Sequence, residues 1–270
     1  MKQIVIATDL SERSDRALER GLELASALNA ECTVVSVVDE SLPADIANDV
    51  RRSKEARLRD YLDAHKGGSA SVDVRIGDVV PGILGMAADL EADLLVLGLH
   101  RQREFMDAFR QTTMERIVAL SRHPVLLVRD TVTGPYERVL VAVNFSKACA
   151  AAVSAAGRIA PGAEMVRLHA LHVPFAGLTG GKNSSMAKAV RREAESMASV
   201  WKSDHGLGDE GLEIVTGSVH EVLDRKLGSF SPQLLAIGAH NRSGPGFHRI
   251  GSFAAELIRH PPVDLLVARG

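Results

Sequence analysis

The sequence lacks the features that mark several classes of protein. Only two of its 270 residues are cysteine, Cys32 and Cys149, and neither lies at the spacing of a metal or redox motif. We therefore interpret both as reduced core thiols. No apolar run approaches the ~20 residues that a membrane-spanning helix requires, and the N-terminal apolar stretch reaches Asp9 too soon to form a signal-peptide core. These absences predict a cytoplasmic protein.

A surplus of charge of one sign is missing as well. The formal net charge is −2 at pH 7, which predicts neither nucleic acid nor an acidic membrane surface as a partner. Hydrophobic residues make up 46% and charged residues 24%, as in an ordinary globular protein. The length of 270 residues suffices for one large domain or for two domains of about 130 residues each.

Motifs for catalysis are absent too. The sequence contains no Gly-x-Ser-x-Gly, no Gly-x-Gly-x-x-Gly and no Walker Gly-Lys-Ser/Thr. Ser185 and Lys188 match Ser-x-x-Lys, but the companion motifs are missing, so we interpret the match as chance. His100, His240 and His248 do not bring the three or four converging donors that a metal ion needs. We therefore predict no catalytic residue and no metal site, and at most weak ATP hydrolysis.

What the sequence does contain is an alternation of strand and helix patterns. Cys32 to Val38 is continuous and rich in β-branched residues, which predicts a parallel strand covered on both sides. Apolar residues at helical spacing between Ala17 and Leu28 predict a helix with one buried face. Regular alternation of such segments predicts an α/β fold, with a mostly parallel sheet and helices on both faces.

The alternation occurs twice. Gly77 and Gly217 lie 140 residues apart, and Gly98 and Gly238 lie the same distance apart. This agreement indicates a duplication, and it predicts two tandem doubly wound, mostly parallel five-stranded sheets. The predicted parts are a first domain at residues 1–130, a linker at 131–137 and a second domain at 138–270.

Each half ends in an apolar strand, at Val125 to Val128 and at Val263 to Val267. Either strand would leave an adhesive sheet edge if it stayed unpaired. We therefore predict that the two strands pair antiparallel with each other and relate the halves as an internal pseudo-dimer. The sequence leaves open whether whole chains form a further homodimer.

The most informative stretch runs from Leu234 to Ser252. It reads as a strand that stops at Gly238, a loop of Gly, Pro, Asn and Ser, and then Gly251-Ser252 at the start of a helix. A loop that leads into a helix N-terminus directs backbone N–H groups and the positive helix end at an anion. The matching stretch of the first half, residues 94–113, has lost these glycines and carries Arg101, Arg103 and Arg110 instead, which we interpret as solvated side chains.

These segments together resemble the universal stress protein family. The first half shows Asp-Leu-Ser at residues 9–11, Arg-Ile-Gly-Asp at 75–78, Leu-Val-Leu-Gly-Leu-His at 95–100 and Arg-His-Pro-Val-Leu-Leu-Val at 122–128. The second half repeats the last three as Val-Thr-Gly-Ser, Ala-Ile-Gly-Ala-His and Arg-His-Pro-Pro-Val. The resemblance covers essentially the whole chain as a tandem of two such domains. It implies a regulatory or binding protein of the stress response.

The resemblance also implies a nucleotide site. Some members bind ATP through Gly, two residues, Gly, nine residues and Gly-Ser or Gly-Thr, with an Asp after the first strand at the adenine. The first half keeps Asp9 and Gly98 but has Arg101 and Gln111-Thr112 at the other positions, so its phosphate loop is degenerate.

The second half keeps more of the pattern. It has Gly238 and Gly251-Ser252, with Asn241 at the middle position and Asn144 in place of the Asp. Asn tolerates left-handed backbone geometry, so the change at the middle position is mild. We expect Ser252 to cap the following helix and to contact a phosphate.

We therefore predict a partial site for ATP or another adenine nucleotide, with Mg, in the second half. A protein–protein interaction factor that binds no nucleotide, and a slow ATP-hydrolysing enzyme, stay open as alternatives. The predicted second-half site comprises Val143, Asn144, Val173, Gly238, Asn241, Gly244, Gly251, Ser252 and Phe253. The weaker first-half set comprises Thr8, Asp9, Val38, Gly98 and Thr112.

Overall fold

The structure is a computed structural model that describes residues 1–65, 69–99, 112–173, 185–239 and 250–270. By the density of their contacts these residues form two compact units. The first unit is Met1–Pro135 together with Asn241–Val267, and the second is Tyr136–His240 together with Ala268–Gly270. Residues 250–267 lie in the second half of the sequence and group with the first unit.

The first unit alternates strands and helices from its N-terminus. In chain order its elements are β1 (Gln3–Ala7), α1 (Glu12–Leu28), β2 (Glu31–Asp39), α2 (Ala44–Ala64), β3 (Ser71–Gly77), α3 (Val79–Asp89), β4 (Leu94–Gly98), α4 (Thr113–Leu120) and β5 (Val125–Val128).

The strands of this unit follow the order β3-β2-β1-β4-β5, and each neighbouring pair is parallel. The order reverses between β1 and β4, where doubly wound sheets form the crevice that binds ligands. The strands are nearly continuous apolar runs because parallel sheets are covered on both faces, and Ile4, Val5 and Ile6 are completely buried. These features confirm the predicted α/β class.

A strand from the far end of the sequence completes this unit. We label it β10 (Asp264–Ala268), and it pairs antiparallel with β5, with Leu265 opposite Leu127. The predicted antiparallel pairing of the two last strands is therefore present. The helix before it, α8 (Ser252–Arg259), contacts α4 within the same unit. These contacts explain why residues 250–267 group with the first unit.

The second unit repeats the alternation. Its strands lie in the order β9-β6-β7-β8, all parallel. With β10, the second half of the sequence has the five strands that were predicted. Its elements are β6 (Arg138–Ala142), α5 (Lys147–Ile159), β7 (Glu164–Leu171), α6 (Ser185–His205), β8 (Leu212–Thr216), α7 (Val219–Phe230) and β9 (Leu234–Gly238).

The same turn follows the first strand of each half. Leu10 has a φ of 64° and Phe145 a φ of 62°, so both adopt the left-handed conformation that non-glycine residues rarely enter. The two residues lie 135 positions apart, as do the serines that follow them, Ser11 and Ser146. Backbone geometry therefore supports the duplication that the sequence predicts.

Candidate functional site

The first unit contains a cavity of about 300 Å³ at the carboxyl ends of β1 and β4. It lies at the point where the strand order reverses, and its volume is at the lower end of the ~300–1,000 Å³ typical of small-molecule sites. The lining residues come from both strand ends and from the helices α1, α3 and α4. They are Ala7, Thr8, Asp9, Ser11, Ser14, Val37, Val79, Ile83, Leu97, Gly98, Leu99, Thr113, Met114 and Ile117.

The hydroxyl groups on the α1 side of the cavity are linked by hydrogen bonds that end at a backbone oxygen. Thr8 Oγ1 donates to Ser14 Oγ over 2.8 Å, and Ser14 Oγ donates to the backbone oxygen of Ser11 over 2.7 Å. Since a hydroxyl has one proton, both donors are already engaged. Ser11 occupies the N-cap position of α1, but its own side chain makes no capping hydrogen bond.

Asp9 supplies a carboxylate at the same edge. Its Oδ1 accepts the backbone N–H of Ser11 over 2.9 Å, which holds the side chain in a tight turn. Lys54 of α2 interacts electrostatically with Asp9, and its Nζ donates to Ser36 Oγ and to the backbone oxygen of Val37. Burial lowers the pKa of Lys54, and the negative charge of Asp9 opposes part of that shift.

On β2 the cavity borders the residue next to the predicted contact, Val38. Val37 lines the cavity, whereas Val38 is buried and does not line it. Successive side chains of a strand point to opposite faces of the sheet, so a displacement of one residue changes the face. Spacing in the sequence predicted the strand but not which of its faces the cavity borders.

The start of α4 is stabilised by its own side chains. Thr112 Oγ1 accepts the N–H of Glu115 over 3.1 Å, and Glu115 Oε2 accepts the N–H of Thr112 over 2.8 Å, which together form a capping box. The other carboxylate oxygen of Glu115 lies 2.9 Å from Nη2 of Arg259, and Glu115 is 2% exposed. The helix end that a phosphate would approach therefore already holds a buried carboxylate.

The helix α8 begins differently. Gly251 is its N-cap and Ser252 its first helical residue, and the described residues provide no side-chain hydrogen bond to this cap. The expectation that Ser252 caps the helix is therefore wrong: its backbone is already helical, whereas a capping side chain belongs to the residue before the helix. The position that matches Glu115, 140 residues on, is Ala255.

In the second unit, Asn144 repeats the geometry of Asp9. Its Oδ1 accepts the backbone N–H of Ser146 over 3.2 Å and lies 3.1 Å from Sγ of Cys149. Val143, the residue before it, is buried, and its carbonyl oxygen accepts a hydrogen bond from Nδ1 of His169 over 2.9 Å. In the first unit Ser36 donates in the same way to the backbone oxygen of Thr8. Replacing Asp by Asn has preserved this turn.

Aromatic side chains surround the turn of the second unit. The Phe145 ring stacks on His169 with centroids 4.3 Å apart, and Trp201 Nε1 donates to the backbone oxygen of Ser146. Val173, a predicted contact residue, belongs to a buried apolar cluster with Leu171, against which Phe145 also packs. Its side chain therefore contributes to the core of this unit.

The structure brings some of the predicted residues together. Thr8, Asp9 and Gly98 line one cavity, and Thr112 begins the helix beside it. In the second unit Asn144 and Gly238 both contact the first turn of α5. Gly251, Ser252 and Phe253 lie in the first unit. Predictions that concern residues 100–111 and 240–249, among them Arg101, Arg103, Arg110, Asn241 and Gly244, lie outside the described residues.

Sequence reasoning overlooked Ser14, Ile83, Met114 and Glu115. The last of these had a visible signal, since Thr-x-x-Glu before an apolar run is the pattern of a capping box.

Within the described part of the chain, no group of three or more His, Cys, Asp or Glu side chains is placed to hold a metal ion. A search of the described helices for one long and apolar enough to cross a membrane found none.

The fold and the cavity define an α/β protein with a ligand crevice at the switch point of a doubly wound sheet. The model of the universal stress protein family matches residues 1–129 and again residues 135–269. The chain therefore belongs to the universal stress protein family and carries two tandem domains of it. This confirms the resemblance on which the sequence interpretation rested.

Solved structures share the fold over the whole chain. A universal stress protein from Archaeoglobus fulgidus is 21% identical with a TM-score of 0.71, and the match covers 99% of this chain and 96% of that one. A putative universal stress protein from Pseudomonas aeruginosa is 16% identical with a TM-score of 0.70, and the match covers 100% and 93%. A comparison with curated proteins found no match.

Proposed function

We propose that this protein is a regulatory binding protein that takes an adenine nucleotide in its second half. The phosphates would lie at the N-terminus of α8, beside Gly251 and Ser252. Magnesium would accompany the phosphates, and the protein would act through the bound state rather than by turnover.

The contrast between the starts of α8 and α4 carries this proposal. The first turn of α4 is occupied by the buried carboxylate of Glu115, whereas α8 has Ala255 at the matching position. The positive end of a helix attracts an anion, and a resident carboxylate competes with that anion. Of the two helix starts, α8 is the one suited to a phosphate.

The backbone at Gly251 is also compatible with the close approach of a phosphate. Its φ is −59°, so a side chain would be allowed there, and a Cβ would meet no atom within 4 Å. The conformation of this residue therefore does not require glycine. Space for a ligand at its Cα is the physical reason that we propose for the glycine.

The test is the nucleotide content of the purified protein. Freshly purified chain is denatured, and the supernatant is analysed for ATP, ADP and AMP by ion-exchange chromatography. We expect near-stoichiometric nucleotide from the wild type and a loss of about tenfold or more in Ala255→Glu, because that substitution places a carboxylate in the first turn of α8. An acidic side chain stabilises a helix start, so this variant should stay folded.

A matched control places the same charge elsewhere. Val219→Glu adds a carboxylate to the first turn of α7, where Ser218 and Glu221 already form a capping box. This variant should keep the nucleotide of the wild type. Absence of nucleotide from the wild type, with no heat on titration of ATP–magnesium, would reject the proposal and favour an interaction factor. Magnesium-dependent release of ADP or AMP would favour the slow enzyme.

A further inference from the structure

We propose that two copies of this chain associate through one face of the second unit, the face that α5 and α6 form. We call it the α5–α6 face, and its central residues are Ala151, Ser154, Met197 and Val200. The proposal concerns assembly and therefore goes beyond the proposed function. It rests on exposed apolar side chains, on a contrast between the two halves of the chain and on a matched placement of charge.

The two helices lie on the same face of the sheet. α5 connects β6 to β7 and α6 connects β7 to β8, so both crossovers proceed in the same direction along the strand order. Right-handed crossovers then place both helices on one face, and both run antiparallel to the strands. The Nε1 of Trp201 in α6 donates to the backbone oxygen of Ser146, directly before α5, over 2.9 Å. α5 and α6 are therefore parallel neighbours.

α6 exposes apolar side chains on its flank toward α5. Met197 is 48% exposed and Val200 is 58% exposed. The opposite flank is marked by Arg191, which donates to the backbone of β8, and by Lys202, which pairs with the loop before β8. Helical spacing places the two apolar residues across the buried Ala198 from these two cations. Exposed apolar residues that are grouped on one side of an element indicate an interaction surface.

Beside this flank, α5 borders a groove of about 580 Å³. Its walls include small residues of α5, the last residue of α6 and the chain that follows α6, among them Ala150, Ala151, Ser154, Gly157, His205 and Leu207. Small side chains let a further helix approach closely, since the distance between packed helices depends on the side chains at the contact. α5 has such a surface itself, so α5 of a second copy fits the groove.

The same positions of the first half carry charged residues. α1 and α5 match at an offset of 135 residues, and α2 and α6 match at an offset of 140, at which the ring pair Tyr61–His65 corresponds to Trp201–His205. The charged residues of the first half that match the central residues of the α5–α6 face are Arg16, Glu19, Arg57 and Asp60. Charge suits a solvated face, and its loss from the second half indicates a face that is covered.

The charges at the ends of the face fit a second copy. On α5 the exposed residues Lys147 and Arg158 lie 11 positions apart, and on α6 the exposed residues Glu193 and Asp204 lie 11 positions apart as well. A twofold axis perpendicular to the face lays α5 of one copy antiparallel to α6 of the other. Lys147 of each copy then lies opposite Asp204 of the other, and Arg158 lies opposite Glu193.

The residues between these charges fit the same register. Ala151 and Ser154 lie 4 and 7 positions after Lys147. Val200 and Met197 lie 4 and 7 positions before Asp204. In the antiparallel arrangement the two large side chains of α6 therefore meet the two small residues of α5 in the same order. Large side chains opposite small ones fill such a contact without voids.

Helix electrostatics favour the same pairing. Lys147 is the first residue of α5, and Asp204 is the last but one of α6. Each charge lies at the helix end whose partial charge has the same sign, which is unfavourable within one chain. An opposite charge from a second copy offsets this cost, and twofold symmetry supplies the pair twice.

The size of the face predicts a weak dimer. α6 has 21 residues, which corresponds to a length of about 31 Å, and two packed helices are roughly 20 Å wide. The face therefore offers on the order of 600 Å² on each copy, or about 1,200 Å² in total, which is the lower limit for a specific interface. We expect a dissociation constant between about 1 and 100 µM.

The first test is sedimentation equilibrium of the full chain at concentrations from about 1 to 200 µM. The mass should rise with concentration from the 28.9 kDa of one chain towards twice that value. Val200→Asp should weaken association by about tenfold or more, because it places a carboxylate in the apolar contact. The first half has Asp60 at the matching position, so this variant should fold.

The matched control for Val200 is Val219. It is an exposed valine of α7, and α7 connects β8 back to β9, so it lies on the other face of the sheet. Val219→Asp should therefore leave the dissociation constant unchanged.

The decisive test exchanges charge. Lys147→Glu and Asp204→Lys each place like charges opposite each other, so either variant alone should associate about tenfold or more weakly than the wild type. Both substitutions suit the partial charge of their helix ends, so both chains should stay folded. An equal mixture of the two variants should regain association of wild-type strength, because each of these pairs in a mixed dimer is again opposite in sign.

Three results would overturn the proposal. They are a wild type that stays monomeric at the highest concentration, a dimer that Val200→Asp leaves unchanged, and a mixture of the charge variants that associates no better than either alone. A monomeric wild type would indicate that another protein covers the face. None of these results depends on the nucleotide content of the chain, so this proposal and the proposed function can fail separately.

Discussion

The two halves of this chain share a backbone plan but place buried charge differently. Arg20 of α1 is 3% exposed, and the matching residue of α5, 135 positions on, is the fully buried Ala155. Glu115 of α4 is likewise buried, and its counterpart in α8 is Ala255. In both cases the first half has an ionised group where the second half has alanine.

The partners of these charges explain the difference. Arg20 lies 3.6 Å from Asp264 of β10, and Glu115 lies 2.9 Å from Arg259 of α8. Both partners come from the end of the sequence and pack within the first unit. The first half thus uses its buried charges to hold a strand and a helix of the second half. Among the described residues, the first turn of α8 carries no such buried charge, and this difference suits it to the proposed phosphate.

The strongest test of this comparison is to remove Asp264. Its Oδ1 accepts the N–H groups of Arg129 and Asp130, and its side chain is 1% exposed. Asp264→Ala should lower the free energy of unfolding by about 2–3 kcal/mol, because two partly buried backbone N–H groups lose their acceptor and Arg20 loses one carboxylate partner while Glu23, 3.1 Å away, stays. Urea denaturation followed by circular dichroism measures this loss.

The control for Asp264 is an ion pair on the surface. Asp49 pairs with Arg52, and their side chains are 74% and 69% exposed. Asp49→Ala should change the free energy of unfolding by less than about 0.5 kcal/mol. A loss below about 1 kcal/mol in Asp264→Ala would show that the buried pair does not hold β10 in place.

The next test concerns the glycine that ends the fourth strand of each half. Gly98 lines the cavity, whereas a Cβ on Gly238 would lie 2.6 Å from the backbone of Ala148 and Cys149. Gly238→Ala should therefore cost about 1–3 kcal/mol, since backbone atoms cannot yield as a side chain does. Gly251→Ala is the control and should be neutral or slightly stabilising, because a Cβ meets nothing there. Equal effects of the two substitutions would contradict the close approach.

A smaller effect distinguishes the two helix starts. Thr112→Ala removes the capping box of α4 and should cost about 1 kcal/mol. Ser252→Ala should cost less than about 0.3 kcal/mol, since Ser252 forms no cap. Thermal unfolding of the variants without nucleotide measures both values. A cost for Ser252→Ala as large as that for Thr112→Ala would show that the two starts are alike.

The smallest effect is the pH dependence due to Cys32 of β2. Burial raises the pKa of Cys32 from 9.0 to about 12. The unfolded chain therefore loses this proton at lower pH than the folded chain does, and the stability that Cys32 provides declines as the pH rises above about 9. Between pH 8 and pH 9.5 the free energy of unfolding should fall by about 0.8 kcal/mol. Urea denaturation at both pH values gives the free energy of unfolding, and its decrease from pH 8 to pH 9.5 should be larger in the wild type than in Cys32→Ala by this amount. An equal decrease in both proteins would contradict the raised pKa.

Much of the fold could be predicted because its determinants are local. The β-branched run of β2 and the helical spacing in α1 reveal buried faces over a few residues. The antiparallel pairing of β5 with β10 was predictable as well, since two apolar edge strands need a partner. The bounds predicted for β2, Cys32 to Val38, lie within one residue of the observed Glu31–Asp39.

The candidate site was less predictable. Asp9 and Gly98 followed from their positions at strand ends, and both line the cavity. Val38 was chosen in place of Val37, because a strand pattern that is apolar throughout does not show which face meets a crevice. Ile83 and Met114 were missed, since aliphatic residues on helices give the same signal whether they line a core or a cavity.

The sequence by itself determined the class of fold, the duplication and the loss of glycines from the first-half loop. Each of these features follows from residue types and their spacing along the chain. Only the tertiary structure decided that β10 and α8 pack with the first unit and that Arg20 and Glu115 meet Asp264 and Arg259 there. These ion pairs join residues more than a hundred positions apart. A charge separated from its partner in sequence looks like a solvated surface residue, and only burial shows that it stabilises the fold.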